Sequence, residues 1–368
     1  MEFLHYLEPF NLKSILQEEG ELISKVITLS EDDTIFPGDI DIAVVGLPFS
    51  DINLTYSAAP HNIREQLYKL ADPLPAKFKI LDIGDIKRGK NFHSTLIGIR
   101  DVLSYLLSQN ICILVIGGTG ILKSALLQAV SFTDRYFEYT AVEPFVSLYN
   151  ELDYIPENIF DVLSYNIIGS QAYYMKPGYI KWLKRKNYQN YRIGDVRDNI
   201  PNVEPVIRDS LLATITLHAI KHSDASGQKL AFPNGFYGEE AAQIARFIGL
   251  SDTLQMCGVF DYCPENDHKQ QTSQLAAQLL WFVIEGYSNR VIEHIPQDNN
   301  IQKFIVNHSD DTNKLIFYKS DKTGRWWMEI PVKATGDFKI ISCSYEDYRQ
   351  ASEQNVPFRW IRAFQKFN

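Results

Sequence analysis

Short apolar runs closed by glycine or proline alternate along this chain with stretches of helical spacing, and that alternation sets the fold expectation. Ile111-Cys112-Ile113-Leu114-Val115-Ile116 is an unbroken branched apolar run, the pattern of a strand buried on both faces of a parallel sheet. Gly117, Gly118 and Gly120 follow and permit a sharp turn where a Cβ would clash. Residues 121–130 then have helical spacing. Open parallel sheets bind ligands at a strand's carboxyl end, where such a turn leads into a helix. Gly117 to Gly120 are therefore expected to line the binding place.

Similar apolar runs predict strands at 40–48, 79–85, 137–143, 165–169, 211–220 and 255–262. Helices are expected at 60–68, opened by Pro60, and at 93–110, with Leu96, Ile99, Val102, Leu103, Leu106 and Leu107 on one stripe. Further helices are expected at 178–185, 238–248 and 271–285. Repeated βα units imply an α/β fold, a central parallel sheet with helices on both faces. Beyond Arg290 the texture changes. Gln297-Asp298-Asn299-Asn300 reads as a linker, 315–318 and 325–332 as a β-hairpin across Ser320-Asp321-Lys322-Thr323-Gly324, and 344–354 as a helix. This tail holds three of the five tryptophans, Trp326, Trp327 and Trp360, so it is expected to pack on the main body or a neighbouring subunit. The expected units are an N-terminal extension over 1–38 with a short helix near 12–19, an α/β domain over 39–295, and an aromatic extension over 296–368.

Composition narrows the partners. The 368 residues carry 36 basic against 45 acidic side chains, a net charge of −9, and no stretch concentrates Lys and Arg. A nucleic acid or an anionic membrane surface is disfavoured as a partner. No apolar run reaches the ~18–20 residues of a membrane span. Met1-Glu2-Phe3-Leu4-His5-Tyr6-Leu7-Glu8 lacks the basic start and apolar core of a signal peptide. Cys112, Cys257, Cys263 and Cys343 are scattered without a CxxC pair, which suits reduced thiols. A cytoplasmic location is expected.

The order of motifs resembles the ureohydrolases: arginase, agmatinase and formimidoylglutamase. Val45-Gly46-Leu47-Pro48-Phe49 followed by Ala59-Pro60-His61-Asn62-Ile63-Arg64 looks like that family's first strand and its Gly-Pro-x-x-Ile-Arg helix. Leu81-Asp82-Ile83-Gly84-Asp85 matches its Asp-x-Gly-Asp strand, and Ile116-Gly117-Gly118 stands where it has Gly-Gly-Asp-His-Ser. Asp261-Tyr262-Cys263-Pro264 with Asp267 looks like its Glu-x-Asn-Pro-x-x-Asp segment. The likeness covers roughly residues 40–290. It is closest to a formimidoylglutamase-like branch, through Pro233 to Glu240, the Tyr318-Lys319-Ser320 and Arg325-Trp326-Trp327-Met328 hairpin, and Cys343-Ser344-Tyr345-Glu346-Asp347-Tyr348. The resemblance implies an arginase-like three-layer αβα fold with a C-terminal hairpin and helix. It also implies a trimer or hexamer, and hydrolysis of a guanidino or formimidoyl carbon by hydroxide held between two Mn²⁺ ions. Hard oxygen donors with some imidazole suit Mn²⁺, and two close metals acidify a bridging water.

At the positions of that family's metal ligands this sequence differs. Thr119 and Gly120 stand for Asp-His, Glu143, Pro144, Phe145, Val146 and Ser147 for Asp-Ala-His-x-Asp, and Thr216 and His218 for Asp-x-Asp. Only Glu143 and His218 are weak candidate metal ligands. No metal cofactor is expected, with Mn the alternative. The expected pocket comprises Gly118, Thr119, Gly120, Glu143, Phe145, Ser147, Thr216, His218 and Asp261. The leading expectation is a non-catalytic protein that binds a small molecule or serves assembly, with a homo-oligomer implied by the resemblance. The alternative is a metal-dependent C–N hydrolase whose reduced site uses Glu143, His218 and Asp261, and a third option is a metal-free enzyme with Asp261 as base.

Other motifs have commonplace readings. Gly117 to Ser124 nearly spells a phosphate loop, but Leu122 stands at the second glycine and would obstruct the cradle. Lys123 then reads as an ordinary residue of the helix's first turn, with a small anion at that helix start left open. His218 and His222 would share a strand face ~13 Å apart, which reads as one buried and one exposed histidine rather than an acid–base set. Glu143 is expected in an ion pair. Cys263 has only Asp261, Glu265 and Asp267 nearby and is expected to be inert. Tyr173, Tyr174, Trp326 and Trp327 are expected to serve packing.

Overall fold

The computed structural model describes residues 4–12, 15, 21–29, 39–49, 56–131, 136–307 and 314–368. Its main sheet has ten strands: β1 (Leu7–Glu8), β2 (Val26–Thr28), β3 (Ile42–Leu47), β4 (Ile80–Ile86), β5 (Cys112–Gly117), β6 (Phe137–Val142), β7 (Leu163–Ser170), β8 (Gln189–Arg192), β9 (Ser210–Thr216) and β10 (Met256–Phe260). Their order is β1-β4-β3-β5-β10-β9-β6-β7-β8, with β2 also on β4. All pairs are parallel except the short β1 on β4. Alternate side chains feed two cores. Ala43, Val45, Leu47, Ile113 and Val115 face the helices Phe92–Ser108 and Lys123–Ser131. Ile42, Val44, Leu114 and Ile116 face Ala59–Leu67, Gly238–Gly249 and Gln271–Ser288. Burial on both faces explains why the strands read as unbroken apolar runs.

After β5 the chain crosses to β6, beyond the strands β10 and β9 that it lays down later. Such a switch point is where an open α/β sheet takes its ligands, so the binding crevice is expected outside the carboxyl ends of β5, β10, β9 and β6.

Three details differ from expectation. The strand expected over 211–220 ends at Thr216, where the Thr216 hydroxyl accepts from the His218 N–H at 3.3 Å and Leu217–Ala219 forms a 3-10 turn. His218 and His222 therefore share no strand face. The expected N-terminal extension contributes β1 and β2 to the sheet edge, and the helix expected near 12–19 falls mostly outside the described residues. The expected hairpin is the centre of a four-stranded antiparallel sheet: β11 (Ile301–Asn307), β12 (Lys314–Ser320), β13 (Trp326–Val332) and β14 (Asp337–Cys343). Its outer strands are half-exposed with polar residues interleaved, so they lack the run that marks a buried strand.

This second sheet forms its own core from Phe317, Trp326, Met328, Ile330 and Cys343, closed by Ala351 and Ala363 of two following helices. It docks on the main body through polar contacts. Arg208 donates to the Trp326 carbonyl at 3.1 Å and lies over the Trp327 ring, and the Ser342 hydroxyl donates to Asp209 at 2.6 Å. Arg325 pairs with Asp252 at 2.8 Å. Among the described residues no helix is long and apolar enough to cross a membrane.

Candidate functional site

One edge of the crevice is fixed by a buried charge network. The guanidinium of Arg64 donates to both oxygens of Asp82, at 2.7 and 3.0 Å, and to the Gly84 carbonyl at 2.9 Å, and it also pairs with Asp85. Tyr68 donates its hydroxyl to Asp82. Burial works against the Arg64 charge, and the two carboxylates overcome it, so its pKa lies above the usual arginine value. Gly46 makes room for this pair, since a Cβ there would stand 1.8 Å from an Asp85 oxygen.

At the centre, Gly117 and Gly118 adopt positive φ (79° and 73°), the region glycine enters without strain. A Cβ on Gly118 would meet the fully buried Leu122 at 2.6 Å, so a side chain closes the space a phosphate cradle needs. Gly120 serves differently. A Cβ at its position would lie 3.6 Å from the Lys123 Nζ and 3.7 Å from an Asp261 oxygen.

Lys123 is the main departure from the sequence expectation. It is 2 % exposed, and its ammonium donates to Glu143 at 2.8 Å and to the Ser147 hydroxyl. Glu143 is 1 % exposed and also accepts from the Ser147 hydroxyl (2.6 Å), the Ser147 N–H (3.2 Å) and the Tyr165 hydroxyl. Burial disfavours the ammonium, but Glu143, with weaker help from Tyr139, Glu151 and Asp261, raises its pKa above the usual lysine value. The lysine is held as a cation. Burial also pushes the neighbouring Glu151 carboxyl up to about 8, against the pull of Lys123.

Asp261 follows β10 with φ at +67°, a left-handed conformation that aspartate tolerates better than most residues. Its N–H donates to the Gly118 carbonyl at 2.9 Å, while its carboxylate accepts from the Gly120 N–H at 3.1 Å and from the Thr216 hydroxyl. The His218 Nδ1 stands 3.6 Å from an Asp261 oxygen. Burial lowers the histidine pKa, Asp261 opposes that, and Lys123 adds to it. The imidazole is thus neutral at pH 7, with a buried Nε2 that has no hydrogen-bond partner among the described residues. The Thr119 and Ser170 hydroxyls are likewise buried and unpartnered. Phe232 lies against His218 at 5.2 Å and Phe145 at 6.4 Å between ring centroids, and Tyr174 meets it at 4.9 Å.

No protein-family model and no curated protein matches the sequence. Solved structures do. Formimidoylglutamase from Bacillus subtilis superposes with a TM-score of 0.63 at 19% identity, covering 76% of this chain and 98% of that one. Trypanosoma cruzi formiminoglutamase with Mn²⁺ gives 0.60 at 14%, covering 69% and 94%. Proclavaminate amidino hydrolase from Streptomyces clavuligerus gives 0.56 at 18%, covering 68% and 93%. The fold is the ureohydrolase fold.

On this ureohydrolase frame the expected pocket residues do not form a single cluster. Glu143 and Ser147 gather round Lys123, whereas Gly118, Gly120, Thr216, His218 and Asp261 gather at the carboxyl ends of β5, β9 and β10. Phe145 belongs to the aromatic group at Phe232. Among the described residues there is no group of three or more His, Cys, Asp or Glu side chains that could hold a metal ion. Cys263 is buried, and burial raises its thiol pKa, with Glu265 a lesser contributor. The sequence reading missed Lys123, Tyr165 and Glu151. A usable signal was present, because a lone lysine in the apolar stretch Ile121 to Val130 is buried only when paired.

Proposed function

We propose that this protein is a non-catalytic member of the ureohydrolase fold, one that binds a small polar molecule in the crevice or serves assembly. In this reading a lysine ammonium supplies the positive charge that a metal pair would otherwise bring. The observation that carries it is the Lys123 ammonium, bound to Glu143 at 2.8 Å and lying where a side chain at position 120 would project. The resemblance puts a metal-ligating histidine at that position.

The donor set does not fit a manganese pair. Glu143 is saturated by four hydrogen bonds from Lys123, Ser147 and Tyr165, and each oxygen of Asp261 already accepts one, from Gly120 or Thr216. A dication ~4 Å from the ammonium would meet roughly 8 kcal/mol of repulsion at an effective dielectric of about 20. The unpartnered His218 Nε2, Thr119 Oγ1 and Ser170 Oγ support a polar ligand, because buried polar atoms without partners are costly until something bonds them. The same reading includes a homo-oligomer in the cytoplasm, where the four free buried thiols stay reduced.

A second reading, a hydrolase of C–N bonds in a guanidino or formimidoyl compound, draws on the neutral His218 beside Asp261 with its free Nε2. One experiment separates the two. Protein loaded with Mn²⁺ and desalted is subjected to elemental analysis and assayed on formimidoylglutamate and arginine with and without EDTA. Less than a tenth of an equivalent of metal and no turnover are expected. Stoichiometric manganese with EDTA-sensitive turnover would overturn the proposal, and EDTA-resistant turnover would establish a metal-free enzyme.

A further inference from the structure

A second cavity of about 430 Å³ lies at the opposite end of the sheet, outside the crevice. One wall is the amino ends of β6 to β9, with Glu138, Asn166, Asn190 and Asp209. The other is the C-terminal extension, with Ser342, Asp347, Arg359, Arg362 and Lys366. Its volume is that of a small-molecule site.

Five carboxylates, Glu138, Asp195, Asp209, Glu346 and Asp347, line it with three cations, Arg359, Arg362 and Lys366. Arg359 pairs with Asp347 at 3.2 Å, Lys366 with Glu138 at 3.1 Å, and Asp209 accepts from the Ser342 hydroxyl at 2.6 Å. Arg362 has no ion pair or hydrogen bond among the described residues, only the face of the Phe358 ring at 4.2 Å. It is half-buried, and burial lowers its pKa with only Tyr191 in opposition. A partly desolvated guanidinium without a carboxylate is a fork prepared for a planar anion. On the other wall the Asn190 side-chain oxygen is buried and accepts nothing among the described residues. A buried acceptor of this kind calls for a donor.

We propose that this cavity binds a small organic acid that also carries an O–H or N–H donor, a hydroxy- or amino-carboxylate. Arg362 takes the carboxylate and Asn190 accepts from the donor. Because the walls come from both the ureohydrolase-fold body and the extension, the ligand holds the two together, and binding stabilises the folded chain by mass action.

The full-length protein is titrated by calorimetry and thermal shift with L-malate, L-glutamate, succinate and inorganic phosphate. Saturable binding and a rise in Tm are expected with malate or glutamate, and at least tenfold weaker binding with succinate, which lacks the donor. Arg362→Gln should weaken the bound acid at least tenfold, Arg362→Lys less so, and Asn190→Ala should erase the preference over succinate. The lysine variant retains the charge, so it serves as the control if the glutamine variant folds poorly. Absence of saturable binding by every acid overturns the proposal, as does undiminished binding in Arg362→Gln. Binding that survives Arg362→Gln but is lost in His218→Ala would place the ligand in the crevice, sinking this inference while leaving the crevice reading intact. Phosphate binding equal to that of malate would mark a general anion site and also count against it.

Discussion

Replacing Lys123 by methionine keeps most of the side-chain volume and removes only the ammonium, leaving the Glu143 carboxylate buried without its counter-ion. Breaking one partner out of a buried pair costs about 3–5 kcal/mol. Here the Ser147 and Tyr165 hydroxyls and the Ser147 N–H still donate to Glu143, so the lower end, about 3 kcal/mol, is expected. In a chain of this size that corresponds to a Tm lowered by roughly 4 °C. The loss should shrink on acidification. Burial without a counter-ion favours the neutral form of a carboxyl group, so the penalty of the variant falls with falling pH and grows as pH rises. Urea unfolding of the native protein, Lys123→Met, Glu143→Gln and the double variant, at pH 5 and pH 8, gives the coupling energy directly. A single-variant cost below about 1 kcal/mol, or a gap that widens towards pH 5, would refute the picture of an internal ion pair.

Further outcomes follow from neighbouring groups. His218 is held neutral by burial, so NMR should find its pKa below 6.5. Its contribution to stability, full above that value, should fade as pH drops through the folded pKa, and a titration above 6.5 would contradict the assignment. Gly46→Ala would drive a methyl to 1.8 Å from Asp85 and 2.9 Å from Arg64, and calorimetry should show a loss of about 3–5 kcal/mol from the disrupted pair. Deleting 296–368 strips Asp209 of Ser342, Asp252 of Arg325 and Arg208 of the Trp326 carbonyl, leaving Arg208 only Glu204. The truncated chain should aggregate or melt well below the full protein, and an unchanged Tm would show that the extension is dispensable.

The central strands were legible because both faces are buried, and a doubly buried parallel strand has a composition that little else shares. β8, β11 and β14 were not, since Gln189-Asn190-Tyr191-Arg192 and Asp337-Phe338-Lys339 carry neither run nor clean alternation. Order along the chain marked Gly118, Gly120 and Asp261, and these meet across the sheet. The partner of Glu143 was hidden for a different reason. Lys123 and Glu143 belong to successive βα units, and only the fold turns a separation of 20 residues into a 2.8 Å bond. Helical spacing describes one face of one element and cannot say which charge the next strand presents to it.

In the proposed reading the Lys123 ammonium carries the pocket's charge, and that charge is encoded in the gene, not drawn from the medium. Chelators cannot extract it and metal starvation cannot empty it. Being tethered by its own backbone, it delivers no exchangeable water to whatever lies beside it.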